Sequence, residues 1–205
     1  MKKIISFVLV LTMCVALALS LASCDLVHPI QRFLLNMQNE KSYKITAAVD
    51  AVPGFGSFGS LEIVTSVDGN VQHVDAGLLG EAYIEEVDGV RYGYYKNLLG
   101  GWNKQQLDVE EIEIELQDVF GPDLIFAIFN PENYDEVEGE ENTYKQKADV
   151  EFTVYEGVNV ENVVITVNDD ICTVSLTVSI DGYGVEAELV VSDVGSTSVE
   201  LPSVN

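Results

Sequence analysis

The sequence predicts a mainly β fold of the α+β type, an antiparallel curved sheet or unclosed β-barrel. Three observations support this prediction. Apolar side chains alternate with polar ones along many short segments, turns containing Gly or Asp separate these segments, and two segments have helical spacing instead. Strict alternation is typical of strands that bury one face and expose the other. The two helical segments predict an N-terminal helix and a central helical lid.

The first 23 residues have the layout of a secretory signal. Lys2 and Lys3 precede an uncharged, mostly apolar stretch from Ile4 to Leu21, and two small residues then lead to Cys24. A positive start, an apolar middle and small residues at the end are the features of a cleaved signal peptide. The stretch is also near the lower length that can span a bilayer, so an uncleaved transmembrane helix is an alternative.

The tetrad Leu21-Ala22-Ser23-Cys24 resembles the lipobox of bacterial lipoproteins. The resemblance implies that the chain is cut between Ser23 and Cys24 and that the Cys24 thiol carries a diacylglyceryl group. Residues 1–23 would then be a lipoprotein signal peptide, and residues 24–205 a single extracytoplasmic β-rich domain with an N-terminal helix. We expect the mature protein to be lipid-anchored to the bacterial cell membrane. Cleavage without lipid attachment is a further alternative.

Charge excludes one class of partner. Removal of Lys2 and Lys3 changes the net charge from −24 to −26. Such a chain repels nucleic acid and anionic headgroups, so we expect no nucleic-acid partner. Of the three cysteines, Cys14 leaves with the signal and Cys24 is the lipid site, which leaves Cys172 without an intrachain disulfide partner.

The elements of the mature chain can be assigned in order. Leu26 to Met37 has an apolar stripe at helical spacing and predicts the N-terminal helix. Strands and hairpin turns dominate the rest. The predicted strands are Tyr43–Ala51, Leu61–Val67, Ala82–Val87, Val90–Lys96, Tyr144–Tyr155, Val160–Val167, Ile171–Ile180, Val185–Val191 and a short last strand at Val199–Leu201. Hairpin turns are predicted at Asp68-Gly69-Asn70, Asp88-Gly89, Asn168-Asp169-Asp170 and Asp181-Gly182-Tyr183-Gly184.

The middle of the chain is less regular. Glu111 to Leu116 fits a half-exposed strand, but the spacing of its apolar residues with Val119 and Phe120 also fits a helix. Pro122 to Phe129 predicts a helix, because Pro suits the first turn and the following apolar residues form a stripe. These residues are Leu124, Ile125, Ile128 and Phe129.

The order of a helix, a strand meander, a central helical insertion and a second meander resembles the LolA, LolB and LppX group of lipoprotein carriers and lipoproteins. Members of that group have an unclosed β-barrel, covered by helices, whose apolar interior can hold acyl chains. The resemblance implies a lipid or other apolar ligand, lined here by Leu124, Ile125, Ile128 and Phe129.

No catalytic, metal or cofactor motif is found. The letters Gly-x-Gly-x-x-Gly occur at 54–59, but a strand pattern follows them, whereas a dinucleotide site requires a helix there. His28 and His73 lack metal-ligand spacing, and Cys172 lies in an apolar row. We therefore expect a non-enzymatic lipoprotein that binds an apolar ligand. The alternative is a surface interaction or structural lipoprotein with a solid core, and the sequence names no protein partner.

Overall fold

The computed structural model describes residues 28–49, 61–77, 80–97, 100–107, 128–155, 158–180 and 183–204. Several predicted features lie outside these residues. They are the signal segment with Ser23 and Cys24, the Gly-rich segment 54–59, the segment 111–120, and Leu124 and Ile125 of the central helix.

Within the described residues, twelve strands form one antiparallel sheet, which confirms the predicted mainly β fold. The strands are β1 (Ser42–Val49), β2 (Leu61–Asp68), β3 (Val71–Asp75), β4 (Glu81–Val87), β5 (Val90–Lys96), β6 (Trp102–Gln106), β7 (Tyr134–Glu136), β8 (Thr143–Gln146), β9 (Phe152–Tyr155), β10 (Val158–Asn168), β11 (Ile171–Ile180) and β12 (Tyr183–Ser192). A short 3-10 helix, Pro131–Asn133, precedes β7.

The sheet is unclosed. Its order is β6-β5-β4-β3-β2-β1-β12-β11-β10-β8-β7, and β9 pairs with the edge of β10 beside β8. The first six strands form a meander, and the last strand, β12, joins this meander to the second one by pairing with β1. Strands β6 and β7 therefore end the sheet.

Turn chemistry fixes the strand register. Asp88 and Gly89 have φ of 52° and 78°, so both turn residues between β4 and β5 are in the left-handed region. This geometry is the one whose twist matches paired antiparallel strands. In the turn between β2 and β3, Gly69 alone adopts a positive φ, of 59°. Both hairpins were predicted from these residues.

Helix α1 (Pro29–Glu40) begins and ends three residues later than predicted. The predicted start at Leu26 is wrong because His28 has a non-helical ψ of 141° and its side chain caps the helix, while Pro29 suits the first helical position. The predicted end at Met37 is also wrong. The helix continues to Glu40 and stops where Lys41 adopts a left-handed conformation and donates its N–H to the Met37 carbonyl.

One sheet face carries α1 and the hydrophobic core, and we call it the inner face. Alternation places the odd-numbered residues of β1 and the even-numbered residues of β11 on it, as the sequence predicts. Cys172, Val174, Leu176 and Val178 are all buried there. Val185, Ala187, Leu189 and Val191 of β12 lie beside them, while Glu186 and Glu188 point to the other, outer face and are exposed.

The predicted single strand Tyr144–Tyr155 is in fact two strands, β8 and β9. Strand β10 has a bulge between Glu161 and Val164, and β8 and β9 pair with β10 on opposite sides of it. The Gln146 side chain holds the connecting turn, because its Nε2 donates to the Val150 carbonyl at 2.8 Å and its Oε1 accepts from the Val163 N–H at 3.0 Å.

Three other differences concern the ends of the meanders. Strand β6 was not predicted. The predicted strand Val199–Leu201 does not form. The Val199 N–H instead donates to Asp68 Oδ2 at 3.2 Å, and Val204 makes an isolated parallel bridge with Trp102. The central helical lid is not shown, since α1 is the one α-helix assigned as an element within the described ranges.

Candidate functional site

The inner face divides into a closed part and an open part. From β10 through β12 and β1 to β2 its side chains are buried beneath α1 and neighbouring segments. From β3 to β6 its apolar side chains are only partly covered. Four of them form what we call the open inner face: Val74, Ala82, Ile84 and Leu107.

Register makes the open inner face continuous with the core. Thr65 of β2 lies opposite Val74, Val74 opposite Ala82, and Ala82 opposite Tyr95. Directly paired residues of antiparallel strands have neighbouring side chains on the same face. An apolar row therefore runs from the buried core to Tyr95, which is 44% exposed.

Gly93 extends the open inner face to β6. A Cβ atom placed on Gly93 would lie 2.9 Å from Leu107 Cδ2, so the Leu107 side chain rests directly on the glycine backbone. The Leu107 N–H donates to the Arg91 carbonyl at 2.9 Å, which holds this leucine in place. The glycine thus allows a leucine to cover a position where β5 has no side chain.

Thr65 is the polar exception at the closed end of this row. It is 2% exposed, and its Oγ1 has no hydrogen-bond partner in the part of the chain that the structure describes. An unsatisfied buried hydroxyl costs about 1–3 kcal/mol. Its neighbours along the strand on the same face, Ile63 and Val67, are buried and apolar.

Of the four residues predicted to line a ligand, Ile128 and Phe129 are described. Both are buried and belong to the same hydrophobic cluster as α1. The Tyr134 hydroxyl donates to the Ile128 carbonyl and ties this segment to β7. They therefore pack within the core, where this segment contacts β7.

The outer face of β3 to β6 carries charged and aromatic side chains that interact across the strands. Lys96 Nζ donates to Glu81 Oε1, and His73 Nε2 lies 3.3 Å from Glu81 Oε2. The hydrogen bond from Lys96, followed by that from His73, holds the Glu81 pKa below its usual value, although desolvation opposes them.

A second carboxylate, Glu85, is held in a similar way. It accepts from the Tyr94 hydroxyl at 2.6 Å and from Lys104 Nζ at 2.8 Å. The hydrogen bond from Lys104 is the main reason that the Glu85 pKa lies below its usual value. The same contact raises the pKa of Lys104.

Aromatic rings fill the spaces between these pairs. His73 stacks on Tyr83 with ring centroids 4.3 Å apart, and Tyr83 meets Trp102 edge-on at 5.2 Å. Lys96 Nζ lies 5.2 Å from the Trp102 ring centroid, and Lys104 Nζ lies 4.3 Å from that of Tyr92. These rings are engaged within the protein, so we assign this network to stabilising the outer face. Exposed pairs of this kind contribute little to stability, because water and salt screen the charges.

The remaining candidate reactive groups are structural. Burial raises the pKa of the Cys172 thiol to about 12, so its nucleophilic thiolate is not formed near neutral pH. His28 Nδ1 accepts from the Ile30 N–H at 3.4 Å, and desolvation lowers the His28 pKa. Among the residues described, no group of three or more His, Cys, Asp or Glu side chains could hold a metal ion.

Within the same described ranges, no helix has both the length and the apolar character needed to cross a membrane. Sequence reasoning missed Thr65 and the outer-face network around Trp102 and Lys104. Alternation identified Thr65 only as a strand residue. Whether its hydroxyl has a partner depends on how β1, β2 and β3 are paired, which the sequence pattern does not show. The repeated Tyr92-x-Tyr94 pattern was the one visible indication of the network.

Comparisons with known proteins add no family assignment: no protein-family model matches the chain, and no curated protein matches it significantly.

Proposed function

We propose that the chain is a non-enzymatic bacterial lipoprotein, anchored outside the cytoplasmic membrane through a lipidated Cys24, which binds a lipid or another apolar ligand on the open inner face. The lipobox-like tetrad supports the anchor, and the arrangement of the sheet supports the ligand. In this proposal the fold is a half-barrel like that of the LolA, LolB and LppX group, and Leu124, Ile125, Ile128 and Phe129 belong to its helical lid.

The observation that carries the ligand proposal is the open inner face. Val74, Ala82, Ile84 and Leu107 continue the apolar lining of the core but remain partly exposed. Burial of apolar surface contributes roughly 25 cal/mol per Å², so covering this row with an acyl chain is favourable. Here the row from Thr65 to Tyr95 passes from the core to solvent.

The shape of the sheet supports the same ligand class. Because β6 and β7 lie at opposite ends of the sheet and do not pair with each other, the sheet does not close over its inner face. A chain of methylene groups can lie against Ala82, a small and only partly buried residue of this face.

Thermal unfolding with and without an added neutral acyl lipid tests this proposal. A ligand that binds only the folded state adds about 2.7 kcal/mol at a hundredfold excess over Kd. For a domain of this size that corresponds to a rise in Tm of about 5–10 °C. In Ile84→Lys we expect the rise to be lost, because the lysine places a charge on the open inner face.

Val87→Lys is the matched control, because Val87 lies on the same strand but on the outer face. It should retain the rise in Tm, with each variant compared with its own ligand-free state. If Val87→Lys and Ile84→Lys lose the rise equally, or the parent protein shows no rise with a broad panel of apolar compounds, the ligand does not bind here.

A surface interaction or structural role with a solid core is the second candidate. Ile128 and Phe129 favour it, because these proposed lining residues are packed within the core. The side chains of the outer face are joined by ion pairs and hydrogen bonds, and Val204 makes a backbone bridge with Trp102. Both features are also consistent with a rigid scaffold. Absence of any Tm rise in the same experiment would favour this candidate.

A further inference from the structure

Solvent exposure increases along the row from Thr65 to Tyr95. Thr65 is buried, Val74 and Ala82 are partly buried, and Tyr95 is largely exposed. Neighbouring strands are about 4.8 Å apart, so these four residues span roughly 14 Å across the sheet. An extended ligand lying on Val74 and Ala82 would place one end beside Thr65.

Thr65 has the side chain that such an end would need. Valine has nearly the same shape, has a similar preference for strands, and would leave no orphaned hydroxyl in this position. The Thr65 side chain lies on the inner face beside apolar neighbours, and its Oγ1 lacks a partner in the described chain. A ligand oxygen that accepts from Thr65 would satisfy this hydroxyl.

The charged residues near the row determine whether a charged or an uncharged ligand oxygen can lie beside Thr65. The row itself contains only Thr65, Val74, Ala82 and Tyr95, and none of these is an acidic or basic residue. On the inner face of β4 and β5 the charged residues are Glu86 and Arg91, which pair with each other at 3.3 Å. A carboxylate buried beside Thr65 would therefore lack a cation, which is strongly unfavourable.

We propose that Thr65 binds the carbonyl oxygen of an uncharged acyl ester, whose hydrocarbon chain lies on Val74 and Ala82 toward Tyr95. The selectivity is thus for ester-linked acyl chains over free fatty-acid anions and over plain hydrocarbons. This inference rests on the proposed function, since it specifies the ligand of the open inner face.

Binding of three twelve-carbon probes tests it: methyl dodecanoate, dodecanoate and dodecane, at pH 8. The full chain carries Cys24→Ala, so that no covalent lipid competes, and Kd is obtained from the ligand dependence of unfolding. Thr65→Val removes the hydroxyl at constant shape, and Thr65→Ser retains it as the matched control. One neutral hydrogen bond corresponds to a change in Kd of about three- to tenfold.

We expect Thr65→Val to bind methyl dodecanoate about three- to tenfold more weakly, and Thr65→Ser to bind it as the parent does. Dodecane should bind the parent protein, Thr65→Val and Thr65→Ser with equal Kd. The parent protein should bind dodecanoate more weakly than it binds methyl dodecanoate. Ligand-free Thr65→Val should unfold at the same Tm or higher, because it loses an unsatisfied hydroxyl.

Two results would overturn the assignment of Thr65. One is equal binding of the ester by the parent and Thr65→Val, which leaves the proposed function intact. The other is a lower ligand-free Tm for Thr65→Val, which would show that the hydroxyl is already used within the fold. If no probe binds any variant, the proposed function fails and this inference fails with it.

Discussion

Replacement of Cys24 by alanine should abolish lipid attachment completely. The acyl groups of the proposed anchor are joined to the Cys24 thiol, and alanine offers no atom to carry them. Two buried acyl chains hold a protein firmly at a membrane, each methylene contributing about 0.8 kcal/mol. We therefore expect the variant either to remain an unprocessed precursor or to be released in soluble form.

Metabolic labelling with an alkyne fatty acid, followed by membrane fractionation, measures this effect. Cys14→Ala is the matched control, because Cys14 lies within the proposed signal peptide and should leave labelling unchanged. Label that persists on Cys24→Ala would rule out Cys24 as the attachment site. Equal loss of label in both variants would show that the signal segment as a whole was disturbed.

Truncation of Leu176 to alanine should have the largest effect on stability among the described residues considered. Leu176 is 2% exposed and lies on the inner face of β11 between Val174 and Val178. Leu→Ala substitutions in such positions destabilise by about 2–5 kcal/mol, because a cavity is added to the lost apolar contact. Denaturant unfolding measures this change directly.

Cys172, on the same strand and face, gives a second readout. In the folded protein its thiol is buried and its pKa is raised to about 12, so labelling requires opening of the structure. A loss of 2 kcal/mol should increase the labelling rate about 30-fold when opening is in rapid equilibrium. Peptide mass spectrometry assigns the label to Cys172.

Ile171→Ala is the matched control for both readouts. Ile171 is on the same strand but is 46% exposed, so its truncation should change stability by less than about 1 kcal/mol. Rapid labelling of Cys172 in the parent protein, or equal effects of the two truncations, would show that the inner face of β11 is assigned wrongly.

The second meander was the most predictable part of the fold. Apolar and polar residues alternate from Cys172 to Ile180 in β11 and from Val185 to Leu189 in β12, and both strands lie centrally in the sheet with one face on the core. Alternation then reports directly which side chains are buried. In the first meander, the hairpin turns at Gly69-Asn70 and Asp88-Gly89 indicated the strand register, since such turns permit few other backbone structures.

Prediction failed where an interaction outside the segment determined the structure. The strand-like sequence pattern at Tyr144–Tyr155 gives no sign of the turn within it. The chain turns there because β8 and β9 pair with the same edge of β10 on either side of a bulge. Strand β6 lacks alternation, since it is at the end of the sheet, where Lys104 binds Glu85 on the outer face. Neither the bulge nor the network is visible in a single segment.

The candidate site was predictable as a class but not as a set of residues. Excess apolar rows indicated that some of the inner face would be incompletely covered, but which part depends on strand order. Of the predicted lining, Leu124 and Ile125 lie outside the described residues, and Ile128 and Phe129 are in the core. Val74, Ala82 and Ile84 were recognisable only once β3, β4 and β5 were paired.

Photocrosslinking tests the binding of an apolar ligand most directly. An acyl ester with a diazirine on its chain would be added to the full-length protein, irradiated, and the crosslinked residues identified by mass spectrometry. The expected result is crosslinks at the open inner face, at Val74, Ala82, Ile84 or Leu107, which unlabelled ester competes away and Ile84→Lys reduces. Crosslinks confined to the outer face, at Tyr83 or Trp102, or no competable crosslinks at all, would contradict ligand binding on the inner face.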